Sequence, residues 1–379
     1  MNTIIQYAGE FIAFNFIITT CIRLSCAFKR KIRVNGYVVI DPFLLSGYIF
    51  YILISVFRKI DYGFGTADPM YYKTLFLNAD VNFLDYLFSS KEEPGFKIIL
   101  WTIRLFTDKY EYALFFIHTI AFIGMIYFIK NTPYRKETIM LWLFTFLNCT
   151  YLLYMMNITR SGLVIILSCD LFILLIKKKY KKALLLLFVC ISIHLSAIIL
   201  IPLVCYFLLH PNINRVQLKD TLLFILIVII LEFTALYVFK HLISESAYGI
   251  YTNEEGISLR TYMTALLVII LMSIQKRDIK KNKYMYIEET ILCFVACCIP
   301  IQLSYSIAYR MAIIFIPMLY LCMFHIFSEN HIFKKLRAKP SAFLVWGIVV
   351  FYFVYKSYSI FFIEFKNVYP YSNNLISFL

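Results

Sequence analysis

Charge is what this chain has least of: 16% of its 379 residues are Asp, Glu, Lys or Arg, where a soluble domain carries roughly 25%. No Gly/Ser linker, low-complexity tract or repeat of 20–50 residues divides it, so one continuous helical domain over 1–379 is expected. The ten cysteines form no CxxC pair and have no histidine cluster at zinc spacing, which excludes a disulfide scaffold and leaves them as small buried hydrophobes. No GxxxxGK[ST] loop is present and no cytoplasmic loop is long, which excludes an ATPase and a transferase with a cytoplasmic sugar-nucleotide domain. No His/Asp/Glu cluster has metal-site spacing, so neither metal nor cofactor is expected. The N-terminus lacks a basic region and a small-residue cleavage site, so Phe11 to Ala27 is expected as a retained first helix.

Apolar residues are abundant instead: 61% of the chain is hydrophobic, with 37 Phe and 30 Tyr. At about 20 apolar residues per crossing, that is material for ten or more membrane helices. The runs fall at 4–27, 38–57, 112–129, 138–155, 160–176, 183–209, 221–239, 261–275, 287–305, 311–328 and 341–360. The fold class expected is all-α: a polytopic integral membrane protein with about 11–12 transmembrane helices, multi-pass, with one outer interfacial helix and one broken or re-entrant segment.

The net charge of +15 reflects topology and not a nucleic-acid partner, because the basic residues cluster in short loops between apolar runs. Loops around 29–33, 130–136, 177–182, 276–283 and 334–339 hold 21 of the 37 basic residues and are expected inside. The loops at 58–111, with its interfacial helix, and at 240–260 are richer in acid and are expected outside. Three runs lie between the inside loops at 177 and 276, so one of them has to cross twice or turn back. The segment 183–209, interrupted at His194-Leu195-Ser196 and at Pro202, is the first choice; failure of 261–275 to span is the second. Residues 94–107 are too short and charged to span, and read as an interfacial helix with Trp101 at headgroup level.

A charge at a span or its edge is costly and asks for a reason. Arg58, Glu93, Arg160 and Arg310 all fall at the outer boundary by this topology, where arginines suit a phosphate or pyrophosphate, or else anchor in headgroups. Glu10, Arg104, Asp170 and Glu232 read as structural pairs or snorkelling stems, and His118 and His325 as ordinary helix-face residues. His194 either titrates near neutrality or hydrogen-bonds across helices. Gly65 to Tyr72, with Asp68 and Tyr72, is a sugar-facing surface or a plain turn.

Taken in order, Arg58 with Gly65-Thr66 and Asp68 to Tyr72, Glu93-Pro94-Gly95-Phe96, Asn157 with Arg160, His194 with Ser196-Ala197, Tyr309-Arg310 and Pro370-Tyr371 resemble the EpsG family of polysaccharide-assembly proteins, relatives of the Wzy-type O-antigen and exopolysaccharide polymerases. Two departures stand out: Ala67 separates Thr66 from Asp68, and Ser161 follows Arg160 where Gln is expected. The resemblance implies a metal-independent membrane glycosyltransferase in the bacterial cytoplasmic (inner) membrane. It would join undecaprenyl-pyrophosphate-linked oligosaccharides outside, with membrane lipid around it and a flippase and a chain-length regulator as partners. His194 and then Glu93 are the expected base or positioning groups, Arg160, Arg310 and Arg58 the pyrophosphate ligands, and Asp68 and Tyr72 the sugar ligands. An O-antigen-ligase-like transferase and a lipid-linked-glycan transporter are the rival readings.

Overall fold

The computed structural model describes residues 2–28, 32–34, 38–58, 60, 67–80, 82–89, 92–209 and 313–329, with the single positions 226, 230 and 292. Arg310, Glu232, the 240–260 loop, Gly65-Thr66 and Pro370-Tyr371 lie outside the described residues. The chain divides into two compact units: Met1–Ser90 with Phe96–Ile166 and Ser357–Leu379, and Lys91–Gly95 with Leu167–Lys356.

In the first unit, α1 (Asn2–Phe28) packs along α2 (Pro42–Val56), with Ile18 and Ile22 buried on one side and Tyr51, Ile52 and Ile54 on the other. The apolar run 38–57 does not form one helix. It opens with a strand, β2 (Val38–Ile40), paired antiparallel to β1 (Ile32–Val34) with Arg33 opposite Val39. Asp41-Pro42 is the reason for the switch. The Asp41 carboxylate accepts the Phe43 and Leu44 N–H groups, both at 3.1 Å, and Pro42 occupies the first helical position, where its missing N–H costs nothing. Ser25 of α1 donates to the same carboxylate and ties the two helices together.

The stretch expected as an outer loop with one interfacial helix holds three helices: α3 (Ala67–Leu77), α4 (Phe83–Phe88) and α5 (Pro94–Arg104). Residues 67–72 are therefore helical and not a turn. Asp68 suits the positive end of the helix, and Tyr72, Leu75 and Phe76 repeat at helical spacing as its buried face. From α5, Phe96, Leu100 and Ile103 are buried, and Trp101 meets Phe83 of α4 at 4.8 Å between ring centroids. Lys97 is fully buried because its Nζ donates to the carbonyls of Tyr86 and Leu87, at 3.1 and 2.6 Å, at the end of α4 where carbonyls lack helical partners.

Helix α6 (Tyr110–Asn131) buries Ala113, Leu114, Ile117, Ala121 and Met125, yet its opposite face exposes Phe115, Phe116, Ile120 and Ile123. A helix apolar on both faces has no side suited to water. Tyr48 and Tyr51 of α2 reach it, pairing with Thr119 at 2.7 Å and with His118 Nδ1 at 3.1 Å. His118 is thus a buried helix-face residue. Helix α7 (Lys136–Phe146) continues through a widened π turn at Leu147–Tyr151 into α8 (Leu152–Asn157). The rings of Phe128, Trp142, Phe146 and Tyr151 follow one another at 4.5–4.7 Å along it.

The chain returns to the second unit inside α9 (Thr159–Ile176). Lys178 takes φ 56° in the turn after α9, a conformation that normally favours glycine, and the N–H groups of Lys178 and Lys179 close the helix end on Leu175 and Leu174. Then come α10 (Tyr180–Ile193), a 3-10 turn at Leu195–Ile199 and α11 (Leu200–Leu209). The break expected in 183–209 is therefore present at His194, whose backbone is extended (φ −154°, ψ 119°). Pro202 breaks nothing, because it falls in the first turn of α11, where a missing N–H is tolerated. A last described helix, α12 (Ile316–Glu329), buries Met318, Leu319, Tyr320 and Cys322. Among the described residues, α6 and α9 are long and apolar enough to cross a membrane.

Candidate functional site

Each unit buries charged groups, and each is described in turn. In the first, Arg58 directly follows Phe57, the residue that ends α2, and is 7% exposed. Its charge acts on Tyr110 and His118 of α6. Arg160 lies in the first turn of α9. The preceding helix ends at Ile158 (φ −108°, ψ 65°), and the Thr159 hydroxyl donates to the Met155 carbonyl at 3.0 Å. Gly162 allows this tight return, since a Cβ there would lie 2.8 Å from the Met155 backbone.

The Arg160 side chain points into aromatic company. Its Nε donates to the Tyr72 hydroxyl at 3.3 Å, and its guanidinium carbon sits 5.3 Å from the Tyr72 ring centre and 5.9 Å from that of Phe96. Tyr72 and Phe96 meet edge to face at 5.3 Å. Tyr72 is 3% exposed, so the outward ring of the Tyr71-Tyr72 pair is Tyr71, at 43%. Asp68, one turn earlier on α3, is half-buried.

In the second unit, Glu93 stands before Pro94, a position that disfavours helix and leaves the carboxylate outside α5. Glu93 Oε1 accepts from His194 Nδ1 at 2.9 Å and from the Leu195 N–H at 3.1 Å, and both side chains are buried. Gly95 permits the approach. A Cβ there would lie 2.7 Å from the carbonyl carbon and oxygen of Ser192, two residues before His194. Burial pushes the Glu93 carboxyl up, but the hydrogen bond and charge of His194, with the Leu195 N–H and its own backbone, outweigh that and hold it below the usual carboxylate range.

Chemically, a carboxylate accepting at Nδ1 assigns the proton to that nitrogen and makes Nε2 the basic atom of the ring. The C-terminal end of α10 complements the positive charge that forms when Nε2 takes a proton. Asp170 of α9 is also buried in this unit. Arg104, expected as a structural residue, pairs with Asp108 one turn on. Among the described residues, no three His, Cys, Asp or Glu side chains gather as a metal site.

Of the residues singled out from the sequence, the structure joins Glu93 to His194 and Tyr72 to Arg160. Two contributors were missed. Phe96 and Gly95 stand beside Glu93 in the Glu93-Pro94-Gly95-Phe96 motif, which was the available signal.

Exposed apolar helix faces and two helices of spanning length, with buried charged groups in each unit, suggest a membrane protein. The model of the EpsG family matches residues 43–373, most of the chain, and the protein belongs to that family, which is associated with polysaccharide assembly. No curated protein and no solved structure matches it.

Proposed function

We propose that this protein is a polymerase that joins undecaprenyl-pyrophosphate-linked oligosaccharide repeat units at the outer face of the bacterial cytoplasmic membrane, through which it passes about 11–12 times. The observation that carries the reading is the buried Glu93–His194 pair, 2.9 Å apart at a break between two apolar helices. It is built as a base: Glu93 orients the imidazole and stabilises its protonated form, the division of labour found in acid–base catalysis generally.

In the reaction, the hydroxyl of one lipid-linked unit attacks the anomeric carbon of the glycan on a second. A new glycosidic C–O bond forms, the C–O bond to pyrophosphate breaks, and the electron pair leaves with undecaprenyl pyrophosphate. The hydroxyl proton goes to His194 Nε2. Charge developing on the leaving group is the task of Arg160, with Arg58 and Arg310 assisting, because a guanidinium binds phosphate oxygens bidentately and stays charged. Asp68, partly accessible at the start of α3, is the sugar ligand. A flippase would deliver the units and a chain-length regulator would set when elongation stops.

A transporter is the second reading. The buried Asp170 and the broken α10–α11 segment favour it, since such features serve ion coupling and discontinuous-helix sites. The lipid-linked glycans of a deletion strain decide between them. Single repeat units accumulating at the outer face support the polymerase; units retained inside support the transporter; normal long chains overturn both. An O-antigen-ligase-like enzyme is separated by supplying membranes with lipid-linked units alone, which a polymerase elongates and a ligase does not.

A further inference from the structure

The sequence offers Tyr72 as a sugar platform, and its surroundings argue otherwise. A ring that stacks on a sugar needs an open face. Tyr72 is 3% exposed, with the Arg160 guanidinium over its ring at 5.3 Å and Phe96 set against it edge to face at 5.3 Å. Its hydroxyl accepts the Arg160 Nε–H at 3.3 Å. Three elements of the first unit meet in this arrangement: α3 supplies Tyr72, α5 supplies Phe96 and α9 supplies Arg160.

We infer that Tyr72 is a positioning residue for Arg160, and that with Phe96 it forms an aromatic clamp that presents the guanidinium to a pyrophosphate. Arginine has a planar group with two useful edges. With the Nε side held by Tyr72, the Nη1/Nη2 edge is the one proposed to meet two phosphate oxygens. The rings hold the cation through their negative faces. Holding the long side chain in one geometry beforehand removes the ordering cost that a ligand otherwise meets. The inference rests on the pyrophosphate reading above.

The test uses the full chain in lipid nanodiscs, titrated with undecaprenyl pyrophosphate that carries no sugar. Tyr72→Phe keeps the ring and deletes only the acceptor oxygen; it should weaken binding about tenfold or more, as loss of a hydrogen bond to a charged group does. Tyr72→Leu, which also removes the ring face, should weaken it by roughly a further threefold or more. Unchanged affinity in Tyr72→Phe overturns the inference and returns Tyr72 to sugar binding or packing.

Arg160 itself gives a second readout that needs no ligand. Its Nε–H resonance in 15N-arginine-labelled protein should exchange with water faster in Tyr72→Phe than in the wild type, and equal exchange overturns the inference. If the wild-type protein ignores the sugar-free lipid while the resonance still responds to Tyr72→Phe, the pyrophosphate reading fails and the clamp stands.

Discussion

Arg160 in the first unit and Glu93 in the second are buried charged groups held by different means. In the first, Arg160 lies against the faces of Tyr72 and Phe96 and gives one edge to a phenol, so the positive charge is kept. In the second, Glu93 and His194 share a hydrogen bond, and the Leu195 N–H donates to the same carboxylate. An aromatic setting suits a group whose task is to meet an anion of unchanging charge. A hydrogen-bonded acid–base couple suits a group that takes up and gives back a proton. Under the proposed function, Arg160 would stabilise the leaving group and His194 would take up the proton.

Substitutions test that division, beginning with the largest effect. Arg160→Ala should abolish elongation, a loss of at least roughly 10²–10³ in rate for a missing electrostatic donor, while the protein still inserts at normal levels. Arg160→Lys should recover little, because a point charge cannot replace the planar fork. Arg310→Ala is expected to behave alike. Chain-length distributions from membranes of equal protein content supply the measurement, and full elongation in both alanine variants removes the proposed pyrophosphate ligands.

His194→Ala comes next. Turnover should fall by about 10²-fold or more, the usual worth of general-base help, with donor binding nearly intact. A loss confined to binding would move His194 to the anion-holding side of the comparison. Glu93→Gln should lower turnover at least as much, since an amide can donate to Nδ1, which moves the ring proton to Nε2, and no longer stabilises the imidazolium.

Glu93 also sets a pH dependence whose sign is fixed. Its folded-state pKa lies below the ordinary value of 4.5, so the stability it contributes is fully present above that value and is lost as pH falls through the folded-state one. Thermal unfolding followed from neutral to acidic pH should therefore show a decline below about pH 4 that is shallower in Glu93→Gln. Smallest is Gly95→Ala. The new methyl meets the Ser192 backbone, so a loss of about 1–3 kcal/mol is expected from overpacking, with turnover falling together with the Glu93–His194 contact. Calorimetry and rate measured on one preparation check whether the two losses run together.

Much of this architecture is legible in residue order, and the reasons for the rest are specific. The runs 112–129 and 160–176 match α6 and α9 because a long apolar stretch has few alternatives to a helix. The interruption at His194-Leu195-Ser196 was visible for the same reason. Asp41-Pro42 was not given its weight: a cap and a first-turn proline start a helix whatever the hydropathy before them, and so 38–40 went to a strand. Residues 67–72 look like a turn by composition, yet a proline in the first turn is compatible with the helix that forms there. The functional pairings are farther out of reach, since Glu93 and His194 are 101 residues apart and Tyr72 and Arg160 are 88 apart. Composition marks such residues as costly in an apolar chain; only the packing of helices says which partner each one meets.

The most direct measurement reconstitutes the purified protein with undecaprenyl-pyrophosphate-linked repeat units and no other protein, and follows glycan length and released undecaprenyl pyrophosphate together. The account predicts a ladder of longer glycans with one lipid pyrophosphate released per bond formed, both absent in His194→Ala. Units that stay single, or a ladder that forms equally well with the His194→Ala protein, would contradict it.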